Sequence, residues 1–137
     1  MGLHAERVCA AILRDGRILM VRHVEDTRDF WTLPGGGAEV GETLPEAVLR
    51  EVAEEVQLAG TVGRLLYERG YLATNGRQVH ESCFLFEIPP GAEPTLGYDP
   101  EIAMDGQVLA GVAWFDLAAV ADDRQVARAL PALQLER

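Results

Sequence analysis

A chain of 137 residues, 48% apolar and 25% charged, is sized for one domain around one hydrophobic core. Its formal charge of −10 argues against nonspecific nucleic-acid binding, which needs a basic surface, and no apolar run is long enough to span a bilayer. All twelve basic residues are arginine, which excludes a lysine-dependent Walker loop and makes any phosphate grip planar and bidentate.

In chain order, residues 7–13 and 17–22 read as apolar strands joined at Asp15-Gly16, a strong hairpin signal. Residues 23–30 form a polar, charged loop. Trp31-Thr32-Leu33-Pro34 is a short apolar piece ended by proline, and Gly35-Gly36-Gly37 follows as a turn free to adopt positive φ and to approach a ligand closely. Thr43-Leu44-Pro45-Glu46 reads as a capping box that opens a helix. Residues 63–71 and 78–88 look like strands around Asn75-Gly76, a second hairpin candidate. A proline-, glycine- and acid-rich loop spans 89–111, residues 112–115 form a further strand, and 117–130 include helix interrupted near Asp122-Asp123. Strands mixed with two helical regions predict an α/β sandwich, with a helix on each side of a mixed sheet. Cys9 and Cys83 lack CxxC spacing and read as buried, reduced residues; with no signal peptide in view, the expected location is cytoplasmic.

The helix after the glycines carries the chemistry. Glu51, Glu54 and Glu55 stand at i, i+3 and i+4, within an arc of roughly 100°, beside an apolar arc of Leu44, Val48, Leu49, Val52 and Val56. Two ionised carboxylates about 5 Å apart repel by ~3 kcal/mol at an effective dielectric of ~20. A solvated face relieves this by splaying its side chains; a packed face calls for a hard cation such as Mg²⁺ among the oxygens. Arg50, four residues from both Glu46 and Glu54, can pair along the helix and offset part of the charge.

Residues 36–58 resemble the Nudix box, G-x5-E-x7-R-E-U-x-E-E-x-G-U, with U a bulky apolar residue. Gly36, Glu42, Arg50, Glu51, Val52, Glu54, Glu55 and Leu58 fall at its fixed positions. Gln57 departs from it, standing where the family has a glycine that ends the helix in a left-handed turn; Gly60 is available to end the helix instead. The resemblance implies a Nudix-type α/β/α sandwich over residues 1–137 and a MutT-like hydrolase of phosphoanhydrides. The implied substrate is a small-molecule nucleotide: a nucleoside diphosphate linked to another moiety, or a triphosphate. It implies Mg²⁺ as cofactor, with Mn²⁺ as a substitute, held by Glu51, Glu54, Glu55 and a carbonyl of Gly36 or Gly37. Glu51 is the first choice for base, Arg50 and Glu54 complete the catalytic set, and Glu42 orients Arg50. Such proteins often form homodimers.

Relatives of this family often bring another carboxylate from the loop before the last strand. Gln107 occupies the usual place here, so Glu101 and Asp105, with Asp99 a weaker choice, are the acids available. Arg22, Arg28 and Glu101 are candidate substrate contacts, as are Arg69 and Arg77 for terminal phosphates. Phe30, Trp31, Tyr71, Phe84 and Tyr98 are eligible walls for a base. His23 and His80 are weaker candidates for bonding a nucleotide. An alternative is a nucleotide-sensing or protein-binding module that kept the fold and lost turnover. Gln57 and Gln107 speak for it, and three repelling carboxylates speak against it.

Overall fold

The computed structural model describes residues 4–97 and 108–134. Strands β1 (His4–Arg14) and β2 (Arg17–Val24) are joined by a tight turn in which Asp15 and Gly16 both take positive φ, 52° and 77°. That is the primed hairpin geometry expected of Asp-Gly. The two strands pair only at Leu13–Ile18 and Arg14–Arg17, then diverge. Beyond that point β2 is flanked by β3 (Asp29–Thr32) and β7 (Val108–Asp116). Strand β1 instead pairs antiparallel with β4 (Gly35–Gly37) and parallel with β6 (Gln78–Glu87), whose outer neighbour is β5 (Thr61–Leu72). The sheet is therefore mixed.

A helix covers each face, as expected for an α/β/α sandwich. Along β1 the side chains alternate with the strand period of two. Val8, Ala10 and Ile12 pack with Ala47, Val48, Val52 and Val56 of helix α1 (Leu44–Val56). Cys9 and Ala11 pack with Val126, Ala129 and Leu133 of helix α2 (Arg124–Gln134). Asp123 starts α2 by accepting from the backbone N–H groups of Gln125 and Val126 at 2.9 and 3.1 Å. A 3₁₀ turn, Leu117–Val120, precedes it, so the helical region does break around Asp122-Asp123. No helix among the described residues is long and apolar enough to cross a membrane.

Four sequence expectations are corrected, the first being the loop over residues 23–30, which is confined to 25–28 because β2 runs to Val24 and β3 begins at Asp29. The glycine triplet is a strand, not a turn, and none of its residues has positive φ. Glycine is needed there for proximity: a Cβ on Gly35 would sit 2.1 Å from the carbonyl oxygen of Val8, and one on Gly36 would sit 2.6 Å from Oε2 of Glu51. The last strand begins at Val108 and not at 112, because pairing with β2 extends it past the apolar run. Gly60 does not end α1; Gln57 does so itself, as described below.

Candidate active site

Helix α1 begins as the sequence predicts. The Thr43 side chain accepts from Glu46 N at 3.2 Å, and Glu46 Oε1 accepts from Thr43 N at 2.8 Å. Glu46 is thus engaged in the cap and not with Arg50, whereas the other pairing expected along the helix, Arg50 with Glu54, is present. Arg50 instead gathers the acids around it. Its Nε and Nη2 donate to the two oxygens of Glu42 at 2.8 and 3.0 Å, a bidentate pair. Its Nη1 reaches Glu51 Oε2 at 3.0 Å and Glu54 Oε1 at 3.3 Å, and Nη2 also donates to the Gly37 carbonyl at 2.8 Å. The bond to Glu42 is the largest cause that raises the Arg50 pKa, and the bond to Arg50 is the largest that lowers that of Glu42.

Glu51 and Glu55 are completely buried. Glu51 lies against Gly36, and Glu55 Oε1 accepts from Gly35 N at 3.0 Å, so both carboxylates are clamped between α1 and β4. Burying two such groups side by side is costly unless positive charge or donors compensate. One guanidinium bonds three acids here, Glu42, Glu51 and Glu54, and pairs with a fourth, Glu39, at 3.9 Å. The donor set fits a hard divalent cation: carboxylate oxygens on one helix face, beside a strand that has no Cβ atoms to block approach. Among the described residues no three acidic, His or Cys side chains already converge at ligand geometry. Glu51 and Glu54 meet on Arg50, and Glu55 turns to Gly35.

The C-terminal end of α1 shows what replaces the family's glycine. Gln57 adopts the left-handed conformation itself, with φ 56° and ψ 41°, and its N–H donates to Ala53 O at 3.2 Å. Its side-chain amide donates to Leu96 O at 2.9 Å. The chain beside it closes on the orphan carbonyls of the last turn: Thr95 N donates to Val56 O at 2.9 Å and Gly97 N to Glu55 O at 2.8 Å. Gly97 lies so near Glu54 O that a Cβ would come within 1.8 Å. The segment leading into the acidic loop is thereby fastened to the turn that carries Glu54 and Glu55. Asp99, Glu101, Asp105, Gln107 and Tyr98 lie outside the described residues.

A cleft of about 1000 Å³ opens beside the box. Gly36, Gly37 and Glu42 line part of it, and Phe30, Tyr71 and Arg77 line another part. His23 also faces it, buried, stacked on Phe30 with ring centroids 5.2 Å apart and bonded through Nε2 to Thr32 Oγ1 at 2.9 Å. Trp31 is instead edge-on to Phe115 in the α2-side core, and Phe84 packs against the α1-side core. Arg22 and Arg28 are not among the lining residues. Arg22 holds Asp29 through two bonds of 2.8 and 2.5 Å, which raises the Arg22 pKa and lowers that of Asp29. Arg28 stacks on Phe30 and pairs with Glu25 at 3.5 Å. Arg69 stacks over Tyr71 and pairs with Glu81. His80 is held by Glu6 and Glu68. Glu81 and Gln125 also line the cleft; each is an isolated polar residue in its own strand or helix, with no local pattern in the sequence to mark it.

Comparison with known proteins agrees with this geometry. The NUDIX domain model matches residues 3–135, so the chain belongs to the Nudix family. Proteins of this family generally use divalent metal ions. A Mycobacterium tuberculosis protein named MutT4 is 33% identical over 112 residues, covering 73% of this chain and 40% of that protein. The CTP pyrophosphohydrolase of Escherichia coli K12 is 36% identical over 76 residues, covering 54% of this chain and 52% of that enzyme. The chain thus spans about half or less of the length of these relatives. A NUDIX hydrolase structure from Nitrosomonas europaea superposes with a TM-score of 0.76 at 21% identity, covering 96% of this chain and 89% of that one, a likeness of fold.

Proposed function

We propose that this protein is a Mg²⁺-dependent hydrolase of a phosphoanhydride bond in a small nucleotide, either a nucleoside diphosphate linked to another moiety or a nucleoside triphosphate. The observation that carries this reading is the clamp on α1: two fully buried carboxylates, Glu51 and Glu55, held against β4 with Arg50 spanning Glu42, Glu51 and Glu54. A structural helix has no use for that arrangement, because buried acids of like charge destabilise it.

In this reading Glu51, Glu54, Glu55 and the Gly36 carbonyl hold the cation. The Gly37 carbonyl is already engaged by Arg50. When bound, Mg²⁺ supplies neutralisation of the phosphoryl oxygens and acidifies a bound water. Glu51 accepts the proton of the attacking water, and Arg50, fixed by its bidentate bond to Glu42, sets the carboxylate in place. Phe30 and Tyr71 provide aromatic surface for the base, and Arg77, which lines the cleft, is a cation for terminal phosphates. Arg22 and Arg28 do not line the cleft and stand lower in this reading. Glu101 keeps its candidacy from the sequence alone. Cytoplasmic residence is supported by two free, buried thiols, Cys9 and Cys83, which are partners across β1 and β6; bonding to Cys9 and burial push the Cys83 thiol up.

The sensor alternative loses one of its two supports, since Gln57 caps α1 in the family glycine's conformation. The decisive experiment measures phosphate and nucleoside monophosphate release from a nucleotide panel with Mg²⁺ or Mn²⁺. Glu51→Gln should lower release by about 10²–10⁴-fold, the range of a positioned base. Unchanged release in that variant removes Glu51 from its role, and no release by the wild type from any nucleotide overturns the hydrolase reading.

A further inference from the structure

The cleft is lined by a buried acid that the proposed hydrolytic machinery does not use. Glu81, on β6, is 9% exposed and lines the cleft with Gln125. Its Oε1 accepts from Arg69 Nε at 3.2 Å, and its Oε2 accepts from Gln125 Nε2 at 3.3 Å. Gln125 cannot turn its amide around without loss, because its Oε1 already accepts from Leu33 N at 2.8 Å. Arg69 in turn stacks over Tyr71, with its guanidinium carbon 4.2 Å from the ring centroid. The carboxylate is therefore fixed from both ends, and its cation is shared with an aromatic wall of the same cleft. A carboxylate oxygen accepts two hydrogen bonds, so each oxygen of Glu81 retains capacity for one more donor.

We propose that Glu81 selects the base of the substrate, and that it selects guanine; this rests on the reading that the cleft binds a nucleotide. A carboxylate can only accept, so it favours a base edge that presents donors side by side. Guanine offers N1–H and the N2 amino group next to each other, a match for two oxygens of one carboxylate. Adenine and cytosine each place a ring-nitrogen lone pair beside their single amino group, and that lone pair faces the acid unfavourably. Uracil flanks its one N–H with two carbonyl oxygens. Hypoxanthine keeps N1–H and lacks the amino group, so it should fall between guanine and the rest. A bidentate pair of this kind is worth about 10- to 100-fold in discrimination.

The test uses the full chain and two readouts. First, kcat/KM is compared for GTP, ITP, ATP, CTP and UTP in the wild type and in Glu81→Gln. GTP should lead by about 10-fold or more with ITP second, and the substitution should cut the GTP-to-ATP ratio by about 10-fold. Second, equilibrium binding of GMP, IMP, AMP and CMP is measured by calorimetry, which needs no turnover. Hydrolysis without a base preference, or with CTP leading, overturns the inference and leaves the hydrolase reading intact. Tighter GMP than IMP binding with no hydrolysis of any nucleotide does the reverse. If Glu81→Gln lowers every nucleotide equally and leaves the binding order unchanged, the Arg69–Glu81–Gln125 network serves packing alone and the inference fails.

Discussion

The cleft has two sides built in opposite ways. On the box side, Glu42 and the glycines that line the cleft, and the acids and arginine packed against those glycines, come from one stretch of sequence, residues 36–58 and Gly35 before it. On the other side, Phe30, Tyr71, Glu81 and Gln125 arrive from β3, β5, β6 and α2. The first side concentrates charge: of two fully buried carboxylates, Glu51 accepts from a guanidinium and Glu55 from a backbone N–H. The second disperses it, with a single buried acid between one arginine and one amide. The contrast separates a part suited to chemistry, where strong electrostatics must be fixed locally, from a part suited to recognition, where shape and donor pattern can vary.

If that division is correct, the largest effects belong to the box side. Glu51→Gln should remove most turnover for every nucleotide alike, whereas Glu81→Gln should change the ranking among nucleotides. Equal, indiscriminate losses in both variants would erase the distinction between the sides.

The glycines sharpen it within the box itself. In Gly36→Ala the new Cβ meets the carboxylate of Glu51, the end of a side chain that can shift. In Gly35→Ala it meets the backbone oxygen of Val8, which cannot move without breaking the β1–β4 pairing. Overpacking costs typically about 1–3 kcal/mol. Gly35→Ala should reach the upper part of that range in urea unfolding. Gly36→Ala should lose less stability and proportionately more activity, since it displaces the base. The reverse order would mean that the position of Glu51 matters little to turnover.

How legible each side was follows from the same contrast. Spacing alone places Glu51, Glu54 and Glu55 on one helical face, and the capping box, the two hairpins and the break before α2 all depend on neighbouring residues. The glycine triplet was legible as a place of close approach and illegible as a strand. Its three residues have no side chains to show an alternating pattern, and only the pairing with Arg7, Val8 and Cys9 makes it one. Arg50's choice of Glu42 over Glu46 is likewise a tertiary matter, because the cap takes Glu46 first. Glu81 and Gln125 could not be found from sequence at all; 44 positions separate them, and only the packing of α2 on the sheet brings them together.

Gln57 joins the two regimes, a box position whose role depends on a distant segment. A non-glycine residue in the left-handed region costs about 1 kcal/mol, and the amide bond to Leu96 returns about 0.5–1.5 kcal/mol. Gln57→Gly should therefore leave the unfolding free energy nearly unchanged, while Gln57→Ala, which keeps the strain and loses the bond, should lower it by about 0.5–1.5 kcal/mol. Equal destabilisation by both would show that the side-chain tether, and not the backbone strain that glycine relieves, is what the position requires.

The smallest expected effect lies away from the cleft's chemistry, on three neighbouring strands. His80 of β6 bonds Glu6 of β1 through Nδ1 and Glu68 of β5 through Nε2, each at 2.8 Å. The bond to Glu6, then that to Glu68, raises the His80 pKa above its ordinary value. A folded-state pKa above the unfolded one means that this stabilisation is complete below about pH 6.5 and is lost as pH rises through the raised value. The groups are partly exposed, so the effect should be about 1 kcal/mol or less. Urea midpoints should fall across that window in the wild type more than in His80→Asn, which has no proton to lose. Parallel curves for the two proteins would show that the histidine's two carboxylate partners contribute nothing to holding β1, β6 and β5 together.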